Sequence, residues 1–390
     1  MTETFRVGIV GCGNIAARAH VPIWRELGES ALVVAIADPS PTARERVGAQ
    51  LDLPEPDRHG DPLELIARSD VDIVDVCTPP AFRRAVLIAA ARAGKHILCE
   101  KPIATVPADA AAAIRAASKA NIRFGAMHNY LATPEIVAVG SVLASGEIGE
   151  VRSVTVNFLG VVHEPGAAGD WRHDPAQAGG GVLVDMLHGI YVAEALLGSP
   201  IERVSAHIAA HLAMHVEDEA LCRFDTSSGV GLVNIAWGHG PGGISVSGTN
   251  GRVEVRYENG GTAPWAALEH VMVTGADGDA RIVLGPATEH RVGDGEFPSM
   301  LHGSRVIIER FVDAVRDGSE PMATGADSLR MLESAVGAYA SAATGAPVSL
   351  PLDRESAPFL RGAPGVRELP QHPRSPFRSS NLFLLKGGNT

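Results

Sequence analysis

Across residues 5–127 short β-rich runs alternate with alanine-rich segments long enough to be helices, and that alternation narrows the possible folds more than any other feature of the chain. Strands are expected at 6–10, 32–37, 73–77, 96–99 and 123–126, with helices at 14–27, 41–50, 62–68, 82–93 and 107–120. Successive strands joined through helices run parallel, so the pattern predicts an α/β domain with a doubly wound parallel sheet. After a further helix expected at 134–143 the grammar changes. From Val151 onward β-rich runs follow one another, separated by turn signals such as Asn250-Gly251. One helix over 182–197 interrupts them, and two more follow at 304–316 and 328–344. This predicts an antiparallel α+β C-terminal domain. The expected division is 1–127, then 128–357 with its last helices packing back on the first domain, then a Pro/Ser-rich basic tail over 358–390.

Composition excludes several classes. The 390 residues are 45% hydrophobic, enough for two sizeable cores. A formal charge of −12 opposes adhesion to nucleic acid or anionic membrane, which points to a small soluble partner. No uninterrupted apolar stretch reaches the roughly 18–20 residues of a membrane span. The first residues lack the basic, apolar and small-residue regions of a secretory signal. Cys12, Cys77, Cys99 and Cys222 are widely spaced, as expected of buried thiols in a reduced, cytoplasmic chain. The tail carries Arg361, Arg367, Arg374, Arg378 and Lys386 against a single acid, Glu368. It reads either as mobile or as an arm docked on an acidic neighbour through Phe359, Phe377 and the run 382–385.

Directly after the first strand stands Gly11-Cys12-Gly13-Asn14-Ile15-Ala16, opening an alanine-rich helix. Gly11 permits a tight turn, Gly13 lets the backbone approach a pyrophosphate, and Ala16 allows close helix–strand packing. The helix start at Asn14 and Ile15 offers unpaired N–H groups and positive dipole to phosphate. Asp38 ends the second strand, where an acid takes the adenosine ribose hydroxyls and repels a 2′-phosphate, favouring NAD over NADP; Arg44 works against that preference. Thr78-Pro79-Pro80 and Glu100-Lys101-Pro102 follow two further strands, where ligands of open α/β sheets collect.

These motifs, with 93–102 (AGKHILCEKP), Trp171-Arg172, Gly179-Gly180-Gly181, Asp185 and His188, resemble the Gfo/Idh/MocA oxidoreductases over about residues 5–352. The resemblance implies a Rossmann domain followed by a C-terminal α+β domain on a large, mostly antiparallel open sheet, NAD(P)-dependent hydride transfer on a sugar, glycoside or cyclitol, and assembly as a homodimer or homotetramer. It also implies that Lys101, Asp185 and His188 surround the reacting carbon. Trp171 and Arg172 are expected near cofactor and substrate, with His128, Asn129 and Tyr130 as substrate contacts. His163, Glu164 and His302 are further possible sugar contacts. The chain departs from the family pattern twice. Asp185 precedes His188 by three residues instead of four, and Arg83 stands where the family usually has histidine.

The residues themselves suit that chemistry. Oxidising a secondary alcohol needs a base of near-neutral pKa at the hydroxyl, which His188 can be. On one helix Asp185 and His188 would stand only about 60° apart, so the acid can orient the imidazole or contact substrate. Lys101 can anchor the hydroxyl and stabilise alkoxide character. The triple glycine reads as a loop passing close to substrate or nicotinamide, or as a helix cap. Two other functions stay open: a redox-neutral lyase or glycosidase working by transient oxidation with tightly held NAD, and a non-enzymatic NAD-responsive regulator. No metal is expected, since no histidine or cysteine spacing matches a ligand set.

Overall fold

The computed structural model describes residues 4–160, 171–211, 215–238, 240–258, 266–286, 298–378 and 380–384. They form two compact units: Met1–Asn129 with Ser304–Leu329, and Tyr130–Gly303 with Arg330–Thr390.

The first unit is built on six parallel strands, β1 (Phe5–Val10), β2 (Ala31–Ala37), β3 (Arg58–His59), β4 (Ile73–Val76), β5 (His96–Cys99) and β6 (Phe124–Ala126). Their order is β3-β2-β1-β4-β5-β6. Val7, Ile9, Ile73, Val74 and Val76 are fully buried, the continuous apolar run demanded of a strand covered on both faces. Between the strands lie α1 (Val21–Glu26), α2 (Pro41–Gln50), α3 (Pro62–Ile66), α4 (Arg83–Arg92) and α5 (Pro107–Ala120). A π-helical turn, Ala16–His20, leads into α1. Ser40 and Asp61 cap α2 and α3 by accepting the N–H of Ala43 and Leu63. The strand order reverses between β1 and β4, which makes the carboxyl ends of those strands the expected ligand edge.

Ser304–Leu329 completes this unit. The Ala126 N–H donates to the Ala323 carbonyl at 2.9 Å, and Asn129 Nδ2 donates to Ser304 Oγ at 3.1 Å. The Phe311 ring lies so close to Gly125 that an added Cβ would meet it at 2.6 Å.

The second unit carries a nine-stranded sheet ordered β14-β13-β12-β11-β7-β10-β9-β8-β15. In chain order these strands are β7 (Val151–Leu159), β8 (Ile201–Ala209), β9 (Glu219–Thr226), β10 (Val230–Ala236), β11 (Gly243–Gly248), β12 (Gly251–Tyr257), β13 (Leu268–Gly275), β14 (Ala280–Leu284) and β15 (Val348–Ser349). All pairings are antiparallel except β7 with β10. One face is buried beneath α6 (Pro134–Ser145), α9 (His188–Leu197) and α11 (Gly325–Thr344), the last shared with the first unit. On β9 and β10 the residues alternate: Cys222, Phe224, Val233 and Ile235 point into the core, while Leu221 and Leu232 are exposed.

Two expectations are corrected. The helix predicted as one over 182–197 is two, α8 (Val182–Asp185) and α9, with a bend of 44° between the stretches Pro175–Asp185 and His188–Leu197. Met186, at φ −103° and ψ 36°, leaves the helical region between them. Val182, Leu183, Val184, Met186, Leu187 and Ile190 are all buried, so hydrophobic periodicity carries no sign of the break. The mobile-tail reading does not describe the chain as far as Leu384. After α12 (Ala357–Arg361), Val366, Phe377, Leu382 and Phe383 join the core of the second unit.

No single helix among the described residues is long and apolar enough to cross a membrane. The bent pair that meets the length and composition test together contains α9, most of whose residues are buried.

Candidate active site

In the first unit the predicted residues gather on the carboxyl edge of the sheet. Gly11, at φ +98°, adopts a conformation that strains any side chain, and a Cβ there would meet the backbone of Cys77 and Thr78 at 2.8 Å. Around Gly13 a Cβ would meet nothing within 4 Å, so the protein's own packing does not demand this glycine. Gly13 and Asn14 are exposed, Ile15 is half-buried and Ala16 is buried. Asp38 is held rigidly: Oδ2 accepts the Cys12 N–H and Oδ1 the Ser40 N–H, both at 2.8 Å. Arg44 donates to the Asp38 carbonyl and Arg46 to the Cys12 carbonyl, so two cations flank Asp38. At the end of β4, Thr78 Oγ1 is buried with no hydrogen-bond partner among the described residues, and Pro79 beside it is half-buried.

Arg83, the residue that departs from the family pattern, is buried here. Its guanidinium donates to the carbonyls of Thr78, Glu100 and Pro102 and thereby ties together the loops that follow β4 and β5. Those loops carry Thr78 and Lys101.

Beneath Glu100 runs a network that motif reading did not find. His20 Nδ1 lies 2.8 Å from Asp75 Oδ2 and its Nε2 lies 3.2 Å from Glu100 Oε1, while the Trp24 indole donates to Asp75 Oδ2 at 2.7 Å. Glu100 Oε2 accepts the Lys101 N–H at 3.0 Å. Burial disfavours the imidazolium, but the Asp75 carboxylate outweighs it and holds the His20 pKa well above its ordinary value. Burial likewise raises Glu100, and the hydrogen bond and charge of His20 reverse that to a net lowering. The ion triad therefore anchors the backbone of Lys101, whose side chain stands at the half-buried edge. His20, Asp75 and Cys77 also bring three possible metal-ligand atoms within 4.8 Å of one another. Asp75 is already engaged by His20, Trp24 and the Cys77 thiol, so the donor chemistry needs no ion.

In the second unit Trp171, Arg172 and Asp185 come together. The Arg172 guanidinium lies 4.6 Å from the centre of the Trp171 ring, and its Nε donates to Asp185 Oδ1 at 3.2 Å. His188 opens α9, with Nδ1 2.6 Å from the Tyr191 hydroxyl. The Tyr191 oxygen also accepts the Tyr130 N–H at 3.2 Å, and the Tyr130 ring packs on the imidazole with centroids 4.2 Å apart. The regular-helix spacing expected of Asp185 and His188 does not hold, because the break at Met186 separates them. His128 and Asn129 are buried in the first unit, whereas His302 is exposed in the second. His163 and Glu164 lie outside the described residues.

The triple glycine has an internal reason. A Cβ on Gly180 would strike the Tyr339 hydroxyl, and one on Gly181 would strike Glu217. Glu217 is fully buried: Oε2 accepts the Gly181 N–H at 2.8 Å, and Oε1 accepts the Leu183 N–H at 2.9 Å and the Tyr339 hydroxyl at 2.8 Å. Its carbonyl accepts the Val182 N–H at 3.0 Å. Burial pushes this carboxyl up to about 7 despite those donors. Glu217 stands in the acidic run Glu217-Asp218-Glu219, which carries no motif and nothing in the sequence that marks this residue for burial.

Residues 5–128 match the oxidoreductase family with an NAD-binding Rossmann fold, and residues 136–254 match the GFO/IDH/MocA C-terminal domain. The 1,5-anhydro-D-fructose reductase of Ensifer adhaerens is 30% identical over 292 residues, 72% of this chain and 80% of that protein. The D-apiose dehydrogenase of Paraburkholderia graminis is 26% identical over 378 residues, 92% of this chain and 93% of that protein. Among solved structures, the aldose-aldose oxidoreductase of Caulobacter crescentus complexed with glycerol has a TM-score of 0.75 at 26% identity, covering 89% of this chain and all of that one.

Proposed function

We propose that this chain, which belongs to the Gfo/Idh/MocA oxidoreductase family, transfers a hydride between NAD and a secondary hydroxyl or ketone of a sugar, glycoside or cyclitol. Membership rests on family matches to both parts of the chain and on a 30%-identical relative spanning 72% of it. One relative is a reductase and another a dehydrogenase of small sugars, so both directions of the same transfer are represented. The observation that carries the reading is the carboxyl edge of the first sheet, where Gly11, Gly13, Asp38 and Thr78 converge on a dinucleotide's requirements. The open space around Gly13 and the orphaned Thr78 hydroxyl fit a cofactor in particular.

In this reading Gly11, Gly13, Asn14 and Ile15 cradle the pyrophosphate and Asp38 takes the adenosine ribose. Thr78, Pro79, Glu100, Trp171 and Arg172 border the rest of the cofactor. When bound, NAD supplies the hydride acceptor or donor. Lys101 holds the reacting hydroxyl and stabilises the negative charge that develops on its oxygen. His188 takes that hydroxyl's proton, its ring fixed by Tyr191 and Tyr130. Asp185, held by Arg172, orients the substrate. His128, Asn129, Tyr130, His163 and His302 are its further polar contacts. Buried thiols in all four cysteines support a reducing, cytoplasmic setting. The exposed Leu221 and Leu232 on neighbouring strands support a homodimer or homotetramer built through the open sheet.

Given NAD and a panel of aldoses, anhydrosugars and cyclitols, the purified chain is expected to generate reduced nicotinamide absorbance, and with NADH and the matching ketones to consume it. Silence in both directions across the panel overturns the reading. Asp38→Ser removes the charge that repels a 2′-phosphate and leaves Arg44 and Arg46 in place. The ratio of kcat/KM for NAD over NADP is therefore expected to fall by roughly 10- to 100-fold, the scale of one close charge pair at a protein surface. An unchanged ratio in steady-state assays with each cofactor removes Asp38 from that role.

A further inference from the structure

The triple glycine, the break before His188 and the C-terminal segment lie along one line of contacts. Glu217 sits at the entry to β9, where its neighbour Asp218 exchanges backbone hydrogen bonds with Ala209 and Trp237. From that fixed position it takes three successive N–H groups, those of Gly181, Val182 and Leu183. The four-residue helix that follows ends at Asp185, and His188 comes three residues later. Tyr339 of α11 donates its hydroxyl to Glu217. On the Tyr339 ring lies Phe383, edge-on with centroids 4.8 Å apart, and Phe377 packs on Phe383 at 5.4 Å. The Phe383 N–H donates to the carbonyl of His215, two residues before Glu217, at 2.9 Å. The C-terminal segment thus grips both the chain entering Glu217 and the tyrosine that holds it.

We infer that the C-terminal segment through Phe383 positions the Gly181–His188 stretch, acting through Tyr339 and Glu217. A buried carboxylate is a demanding clamp: it is rigid only while every donor stays in place, and an aromatic ring over Tyr339 excludes water from the hydroxyl that completes it. Glu217, Tyr339 and Phe383 are positioning residues, distant from the reacting atoms in role. Their bearing on catalysis rests on the proposed duties of Asp185 and His188.

The test uses the full chain and two kinds of readout. In Phe383→Ala and Tyr339→Phe, hydrogen exchange at the amides of Gly181 and Leu183 is expected to accelerate at least tenfold, with exchange in β1 and β4 unchanged. The kcat on whichever sugar the wild type turns over is expected to fall about tenfold at constant KM for NAD, with Phe383→Tyr restoring both readouts. Phe383→Leu, a milder change, serves if the alanine variant fails to fold, and is expected to show the same exchange pattern at smaller size. Unchanged exchange at Gly181 and Leu183 overturns the inference, as does accelerated exchange accompanied by a wild-type kcat. A wild type inert on every sugar overturns the dehydrogenase reading instead, and the amide exchange then decides the clamp by itself.

Discussion

His188→Ala is expected to lower kcat by about 10²–10⁴-fold, the usual worth of a positioned general base. Lys101→Ala is expected to cost about 10²–10³-fold, the worth of one preorganised donor at a developing oxyanion. Alcohol oxidation breaks an O–H and a C–H bond together, so the proton needs a fixed acceptor at the moment the hydride leaves. His188 is fixed from two sides, by the Tyr191 hydroxyl at 2.6 Å and by the Tyr130 ring at 4.2 Å. Lys101 is fixed from below, its N–H bound to Glu100 and the flanking carbonyls bound to Arg83. Because the cofactor residues proposed in the first unit are untouched by the His188 change, NADH binding followed by protein fluorescence is expected to survive it. Lys101→Arg is expected not to rescue Lys101→Ala, since a planar guanidinium cannot replace a compact ammonium in this role. Full turnover in both alanine variants overturns the assigned roles.

The second large effect is on stability. His20→Ala is expected to lower the unfolding free energy by about 3–5 kcal/mol, the cost of breaking a buried ion pair from one side. Asp75 and Glu100 are both buried, and His20 is the cation between them. Its removal leaves two carboxylates facing a cavity, with the Trp24 indole, the Cys77 thiol and the Lys101 N–H as remaining donors. Adding Asp75→Asn to His20→Ala is expected to recover part of the loss, because one of the stranded charges disappears. Urea unfolding read through Trp24, whose indole reports on Asp75, measures both. A loss below about 1 kcal/mol, the range of an ordinary surface change, would mean that the triad does not sustain this unit.

How much of this was legible in the sequence differs between the two units. The strand–helix alternation and the glycine motif are local signals with a fixed physical meaning, and five of the six strands of the parallel sheet follow from them, whereas β3, only Arg58–His59, is too short to leave a pattern. Asp38 was legible because the motif counts residues to it. His20, Asp75 and Glu100 were not, since residues 55 and 80 positions apart meet only once the sheet has formed. The break at Met186 was invisible because the stretch is apolar on all sides, so the sequence pattern is that of one buried helix. Glycines 179–181 stand out in the sequence as a close-approach loop or a helix cap, and the partners that require two of them small are Glu217 and Tyr339, which no spacing rule links to them. The stretch 304–316 reads in the sequence as a helix, with nothing to say which unit buries it.

The first unit is assembled from the opening 129 residues and from Ser304–Leu329, and its β6 edge hydrogen-bonds to Ala323. During synthesis the six strands are made well before Ser304–Leu329, so the β6 edge waits for a segment that follows only after most of the second unit's sheet. The second unit in turn buries Phe383, which lies beyond the segment that completes the first unit. Neither unit can be finished before most of the other has been made, so a fragment cut at residue 129 is expected to behave as an incomplete fold, and nascent chains to depend on protection until both later segments have emerged.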